Sequence, residues 1–210
     1  MTAMVDTAVS SDPRVDPRAM IIRLAPASRH DCRRIAELFQ ISSDGVADYI
    51  WSQLAAPEQS LLQVGQKRYE RVDTAFSYQN CVVAERGGEI VGMMHSFVIP
   101  EPDEGAADEP GDPVLQPYAE LELPGSLYIA GLAVLPAYRG LGYGSQMLAA
   151  ARQRARELRV GEISLLCFAE NAGAVRLYER EGFAMVARRA VVPHPLIHHT
   201  GDVLLMSATV

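Results

Sequence analysis

Between Arg139 and Ser145 the chain reads Arg-Gly-Leu-Gly-Tyr-Gly-Ser. Backbone N–H groups at the start of a helix are unpaired, and the helix dipole adds partial positive charge there. An anion such as a pyrophosphate can rest on them if no Cβ blocks its approach. Gly140, Gly142 and Gly144 remove those side chains, and Arg139 adds a fixed charge. Two familiar phosphate loops do not fit. A dinucleotide turn needs G-x-G-x-x-G, and Ser145 stands at the third glycine; a P-loop needs a Gly-Lys pair, which the chain lacks. Taken alone, the same residues also read as a turn that lets a strand and a helix pack closely.

A second segment follows. Asn171 suits an N-cap, and Tyr178 lies seven residues on, about two helical turns, so Asn171, Ala174 and Tyr178 share one face. The elements that would position these groups are legible. Leu127–Leu135 is a continuous apolar run, expected of a strand buried on both faces and ended by Pro136. A helix from about Ser145 to Leu158 buries Met147, Leu148, Ala151, Ala155 and Leu158 and keeps its arginines toward water. Glu162–Phe168 is a second buried strand, and the Asn171 helix ends at Gly182.

The two segments together, Arg-x-x-Gly-x-Gly after a buried strand and Asn-x-x-Ala-x-x-Leu-Tyr-x-x-x-Gly-Phe about thirty residues later, resemble the GCN5-related N-acetyltransferase (GNAT) superfamily. The close match covers residues 127–183. The resemblance implies a single α/β domain over 20–210. Its mixed, mostly antiparallel central sheet would have about seven strands flanked by helices, with a splayed strand pair for the cofactor. It implies that Leu132, Ala133 and Val134 offer main-chain groups to the pantetheine arm of coenzyme A, as in strand addition. Arg139, Gly140, Leu141, Gly142, Tyr143, Gly144 and Ser145 would wrap the pyrophosphate. Asn171 and Ala174 would touch the cofactor, and Tyr178 would stand beside the sulfur. The implied activity is direct acetyl transfer from acetyl-CoA to a primary amine of a small molecule or peptide, with CoA as product. No metal and no covalent enzyme intermediate are expected. The alternative is a non-catalytic acyl-CoA-binding or sensor domain of the same fold.

Thioester aminolysis expels a thiolate. A thiol has a pKa of about 8.5 and a phenol about 10, so Tyr178 would stay protonated at neutral pH and could share its proton with the sulfur. The same residue also reads as packing at a helix–sheet contact. Many relatives carry an acid on the strand before the glycine loop, but Tyr128-Ile129-Ala130-Gly131-Leu132 has none. Glu120 and Glu122 are the nearest carboxylates, and Glu122 is the expected base, directly or through a water; a solvated acidic loop is the other reading.

The formal charge of −7, without a basic cluster, argues against nucleic acid and fits a cationic acceptor. Cys32, Cys81 and Cys167 are odd in number and far apart, and read as thiols in a reducing compartment, the cytoplasm. No run of about 18 apolar residues would span a membrane. Residues 1–19, with Pro13 and Pro17 and no apolar core, read as a disordered leader. A homodimer is compatible with all of this.

Upstream, Met20–Leu24 reads as a strand, and Ser28 with Asp31 as a capping box. In the following helix Cys32, Ile35, Leu38 and Phe39 share a face. Residues 43–79 read as helical, with Pro57 and Gly65 as breaks. Gly87-Gly88 joins two antiparallel strands within 80–99. Residues 101–122 read as a long acidic loop, disordered or able to steer a cationic amine. His194, His198 and His199 read as surface loop residues.

Overall fold

The computed structural model describes residues 23–101 and 111–210. The expected leader, and residues 20–22 of the expected first strand, lie outside them. The described elements are β1 (Arg23–Pro26), α1 (Cys32–Ser43), α2 (Val46–Leu54), α3 (Leu61–Tyr69), β2 (Cys81–Arg86) and β3 (Glu89–Val98). They continue with α4 (Gln116–Ala119), β4 (Leu127–Val134), α5 (Tyr143–Leu158), β5 (Glu162–Phe168), α6 (Ala172–Arg180), β6 (Ala184–Ala190) and β7 (Asp202–Thr209). The strands form a seven-stranded sheet in the order β1-β2-β3-β4-β5-β7-β6, and β4–β5 is its parallel pair. The expected α/β fold with a mixed, mostly antiparallel sheet is the one observed.

Local chemistry explains most of these boundaries. The Ser28 amide and hydroxyl both donate to Asp31 Oδ2 at 2.7 Å, which fixes the entry to α1. Gly87 and Gly88 have φ of 59° and 82°, the left-handed pair a two-residue hairpin turn requires. On α1, Cys32, Ile35, Leu38 and Phe39 are buried as their spacing predicts. They pack with α2 and α3 on one face of the sheet, while Met147, Leu148, Ala151 and Ala155 of α5 pack on the other.

Four expectations need correction. Gly65 is no break: it lies inside α3, where a Cβ would come within 2.4 Å of the Trp51 ring, so the glycine permits a close helix–helix approach. The 101–122 stretch is not loop throughout, since α4 forms within it and Tyr49 donates to Asp112 at 2.7 Å; residues 102–110 lie outside the described set. On α5, Leu158 is exposed, and Arg154 is drawn in to Asn80 at 3.0 Å. Finally, β4 is not buried on both faces. Its residues alternate between buried and half-buried, and Tyr128, Ala130, Leu132 and Val134 face a cavity.

Replacing Gly65 with alanine should lower stability. The helical gain of about 1 kcal/mol is outweighed by overpacking of roughly 1–3 kcal/mol against a Trp51 that has no room to move. Urea unfolding should show a reduced midpoint; an increase would contradict the packing account.

Candidate active site

The cavity exists because β4 and β5 part company. They pair only through Leu127↔Ile163, Tyr128↔Ser164 and Ile129↔Leu165. Beyond that point β4 remains in register with β3, while β5 follows β7 as far as Phe168. The β3–β4 register slips where His95 faces Gly131 and Ser96 faces Ile129, which leaves Ala130 as a bulge. A bulge bends and twists its strand, so β4 turns away from β5. The gap is about 830 Å³ and takes its walls from α1, α2, β4, α5, β5 and α6.

At one mouth stands the glycine loop. Gly142 caps α5 with φ 84°, and Gly140 has φ 76°, both in the left-handed region. The next residue to close an α5 turn is Gln146, bonded to the Gly142 carbonyl. The preceding amides therefore have no intrahelical acceptor. A Cβ on Gly140 would enter open space and one on Gly142 would only touch Gln146 Nε2 at 4.0 Å, whereas one on Gly144 would meet Leu177 at 2.9 Å. The loop therefore divides its glycines: Gly140 and Gly142 keep the approach to the amides clear, and Gly144 lets α5 sit against α6. Arg139 Nε donates to the Val134 carbonyl at 3.0 Å, which ties the guanidinium to the end of β4.

The second segment faces the same space. Asn171 Oδ1 accepts from the Ala174 amide at 3.2 Å and so caps α6. Tyr178 is buried and lines the cavity, its ring edge-on to Phe183 at 5.9 Å. Burial is the main cause that drives its pKa upward, reinforced by Cys167, Tyr128 and Asp44. Cys167 is also in the wall, and burial pushes its thiol up to about 12, which leaves it un-ionised and a poor nucleophile.

Of the expected cofactor residues, Leu132, Ala133, Val134, Arg139, Gly140, Gly142, Tyr143, Gly144, Ser145, Asn171 and Ala174 line the cavity with Tyr178. Leu141 does not; its side chain points to solvent. Glu122 is not in the lining either, although it lies close enough to Tyr128 to raise that phenol. Glu120 is engaged elsewhere, ion-paired with Arg189 at 2.7 Å.

A profile of the Acetyltransferase (GNAT) family matches residues 47–183. The chain belongs to this family. Mycothiol acetyltransferase from Cellulomonas flavigena is 31% identical over 133 residues, covering 62% of this chain and 34% of that protein. The chain thus spans about a third of the length of that curated relative. A solved acetyltransferase superposes with a TM-score of 0.63 at 22% identity, over 89% of this chain and 98% of its own. The ribosomal-protein-alanine N-acetyltransferase of Brucella melitensis does so with a TM-score of 0.58 at 21% identity, over 91% and 100%. These likenesses fix the fold.

The sequence missed the walls that neither GNAT motif supplies. Ser42 and Ser43 arrive from the end of α1, Asp44 from the turn to α2, and Tyr118 from α4. The histidine loop also proves structured. His199 sits between Asp44 and Glu170, and His194 packs on Tyr49 with ring centroids 4.5 Å apart. The signal available was a Ser-Ser-Asp-Gly turn at the end of an amphipathic helix, but its partners are more than 120 residues away. Among the described residues no cluster of His, Cys, Asp or Glu has the arrangement of a metal site, and no helix is long and apolar enough to cross a membrane.

Asn171→Ala should remove the α6 cap and lower stability by about 1 kcal/mol, while Asn171→Ser should retain most of it, since a serine hydroxyl caps comparably. Equal urea midpoints for the alanine variant and the wild type would contradict the capping role.

Proposed function

We propose that this GNAT protein is an acetyl-CoA-dependent N-acetyltransferase that moves an acetyl group directly to a primary amine on a small molecule or peptide. The observation that carries the reading is the convergence, in one cavity at a strand splay, of a glycine-capped helix N-terminus and a buried tyrosine. The residues suit the cofactor. Free amides and Arg139 match a pyrophosphate, and the unpaired β4 edge over 130–134 offers main-chain groups to an amide-bearing arm.

Bound acetyl-CoA supplies an acyl group activated as a thioester. The chain contributes the rest. The cavity walls orient the amine and exclude water from the carbonyl carbon. As the C–N bond forms and the C–S bond breaks, Tyr178 gives its phenolic proton to the departing sulfur and regains one from the amine nitrogen. Its raised pKa serves this role, because the acid form is then present throughout the neutral range. Glu122, outside the lining, would act as base only through a water; partial desolvation raises its carboxyl, which favours proton uptake.

Tyr178→Phe should lower kcat about a hundredfold and leave the Kd of acetyl-CoA nearly unchanged. An unchanged kcat would remove the acid assignment. Because the phenol is shifted upward, the wild-type kcat should not fall as pH passes through about 10, the ordinary phenol value. A decline centred there in a pH–rate profile would contradict the burial of this hydroxyl.

A further inference from the structure

The charge of the cavity is arranged along α6. Arg180 lines it at the helix C-terminal end, and Asp44 lines it beside Asn171, the N-cap. Asp44 is the one acidic side chain among the described lining residues. It lies near enough to Tyr178 and Cys167 to raise both groups. It shares the cavity wall with Tyr178 and Cys167, and with Arg139 of the glycine loop.

The carboxylate is held rigidly and used only in part. Asp44 has φ 47°, left-handed, and Gly45 follows at φ 100°. Aspartate tolerates this region better than most residues, but it remains uncommon and needs support from its surroundings. That support is visible. The Asp44 carbonyl accepts from the His198 amide at 3.0 Å, and a Cβ on Gly45 would fall 1.8 Å from the Leu196 carbonyl. The turn is thus clamped by the β6–β7 segment. Oδ2 of Asp44 receives Asn171 Nδ2 at 3.4 Å and faces His199 Nε2 at 3.3 Å. Among the described residues Oδ1 has no hydrogen-bond partner.

The cavity that Asp44 lines has aromatic and aliphatic walls, from Phe39, Val46, Phe76, Tyr128 and Phe168, beside the polar Ser42, Ser43 and Asn171. A single carboxylate among these walls selects one positive charge on a largely apolar body, because a second cationic centre on the ligand would find no second carboxylate there. Aromatic faces also attract cations.

We infer that Asp44 is the acceptor-side catalytic carboxylate: it binds the ammonium of a cationic alkyl or aromatic monoamine and takes the proton that amine must lose before attack. The inference rests on the acetyl-transfer reading above. His199 and Glu170 are positioning residues for it. His199 Nδ1 meets Glu170 Oε2 at 2.9 Å, and the Glu170 side chain is 51% exposed against 27% for Asp44. A proton accepted by Asp44 can pass to His199 Nε2 while Nδ1–H remains on Glu170. The imidazolium so formed donates to both carboxylates and releases the proton to solvent at the Glu170 end. The balance closes: the ammonium loses its first proton by this route, which takes the place of a water-mediated one through Glu122, the nitrogen gives its second to Tyr178 as the C–N bond forms, and the thiolate gains its own from Tyr178.

The test uses the whole chain loaded with CoA, titrated calorimetrically with 2-phenylethylamine and with uncharged 2-phenylethanol, for the wild type and Asp44→Asn. Asparagine also tolerates the left-handed turn, so the variant should keep its fold and bind CoA within about twofold of the wild type. The amine should bind the wild type at least roughly tenfold more tightly than the alcohol, and Asp44→Asn should abolish that preference through a ten- to hundredfold loss. In turnover, the deficit of Asp44→Asn should shrink as pH rises toward the amine's own pKa of about 10, where free amine no longer needs a base. Amine and alcohol binding alike, no amine binding at all, or an Asp44→Asn variant equal to wild type overturns the inference while acetyl transfer stands. Failure of the wild type to bind CoA removes the transfer reading itself.

Discussion

The separation of β4 from β5 after three residue pairs is the constraint on which this molecule depends. A sheet normally propagates its hydrogen bonds until a strand ends. Here β5 pairs with β7 along its whole length and β4 with β3, but each pairing satisfies one edge only, so the facing edges beyond Ile129 and Leu165 stay unpaired. The Ala130 bulge supplies the twist that drives them apart. The open edge exposes main-chain polar groups within the fold, an arrangement that is costly unless water or a ligand satisfies them.

The helices take their places from the same divergence. The turn after β4 can start α5 at the cavity mouth only because Gly140 and Gly142 accept left-handed backbone there. Gly144 then allows α5 to approach Leu177, which brings α6, and with it Tyr178, over the gap. On the far side the α1–α2 turn and the β6–β7 segment lock together through Asp44, Gly45 and His198. The two ends of the cavity thus rest on different parts of the chain. The end at the glycine loop is a continuous stretch from β4 to α6, and the end at Asp44 is assembled from residues far apart in sequence.

That difference explains what could be read from the sequence. The GNAT signature lies in one run of residues whose spacing is set by the local geometry of a strand, a capped helix, a strand and another capped helix. Gly142, Asn171 and Tyr178 are therefore legible without any tertiary information. The alternation along β4 was not, because Leu127–Leu135 is apolar throughout and hides the fact that its second face is reserved for a cavity. Gly65 was misread for a related reason: a glycine that breaks a helix and one that admits Trp51 look the same in sequence. Glu122 lies outside the cavity lining, whereas Asp44 reaches it from a turn held by His199 and Asn171, contacts that no local pattern encodes. The histidines near residue 200 do lie in a loop, with His198 exposed, but the fold places Asp44 and Glu170 on either side of His199.

The central claim is that the splayed strands and the glycine-capped helix form a coenzyme A cradle. Thermal denaturation with acetyl-CoA, CoA and NAD tests it most directly. A ligand present at about a hundred times its Kd adds roughly 2.7 kcal/mol to stability. The account predicts a clear rise in Tm with acetyl-CoA and CoA and none with NAD; a folded protein whose Tm ignores both CoA species, or responds equally to NAD, would contradict it.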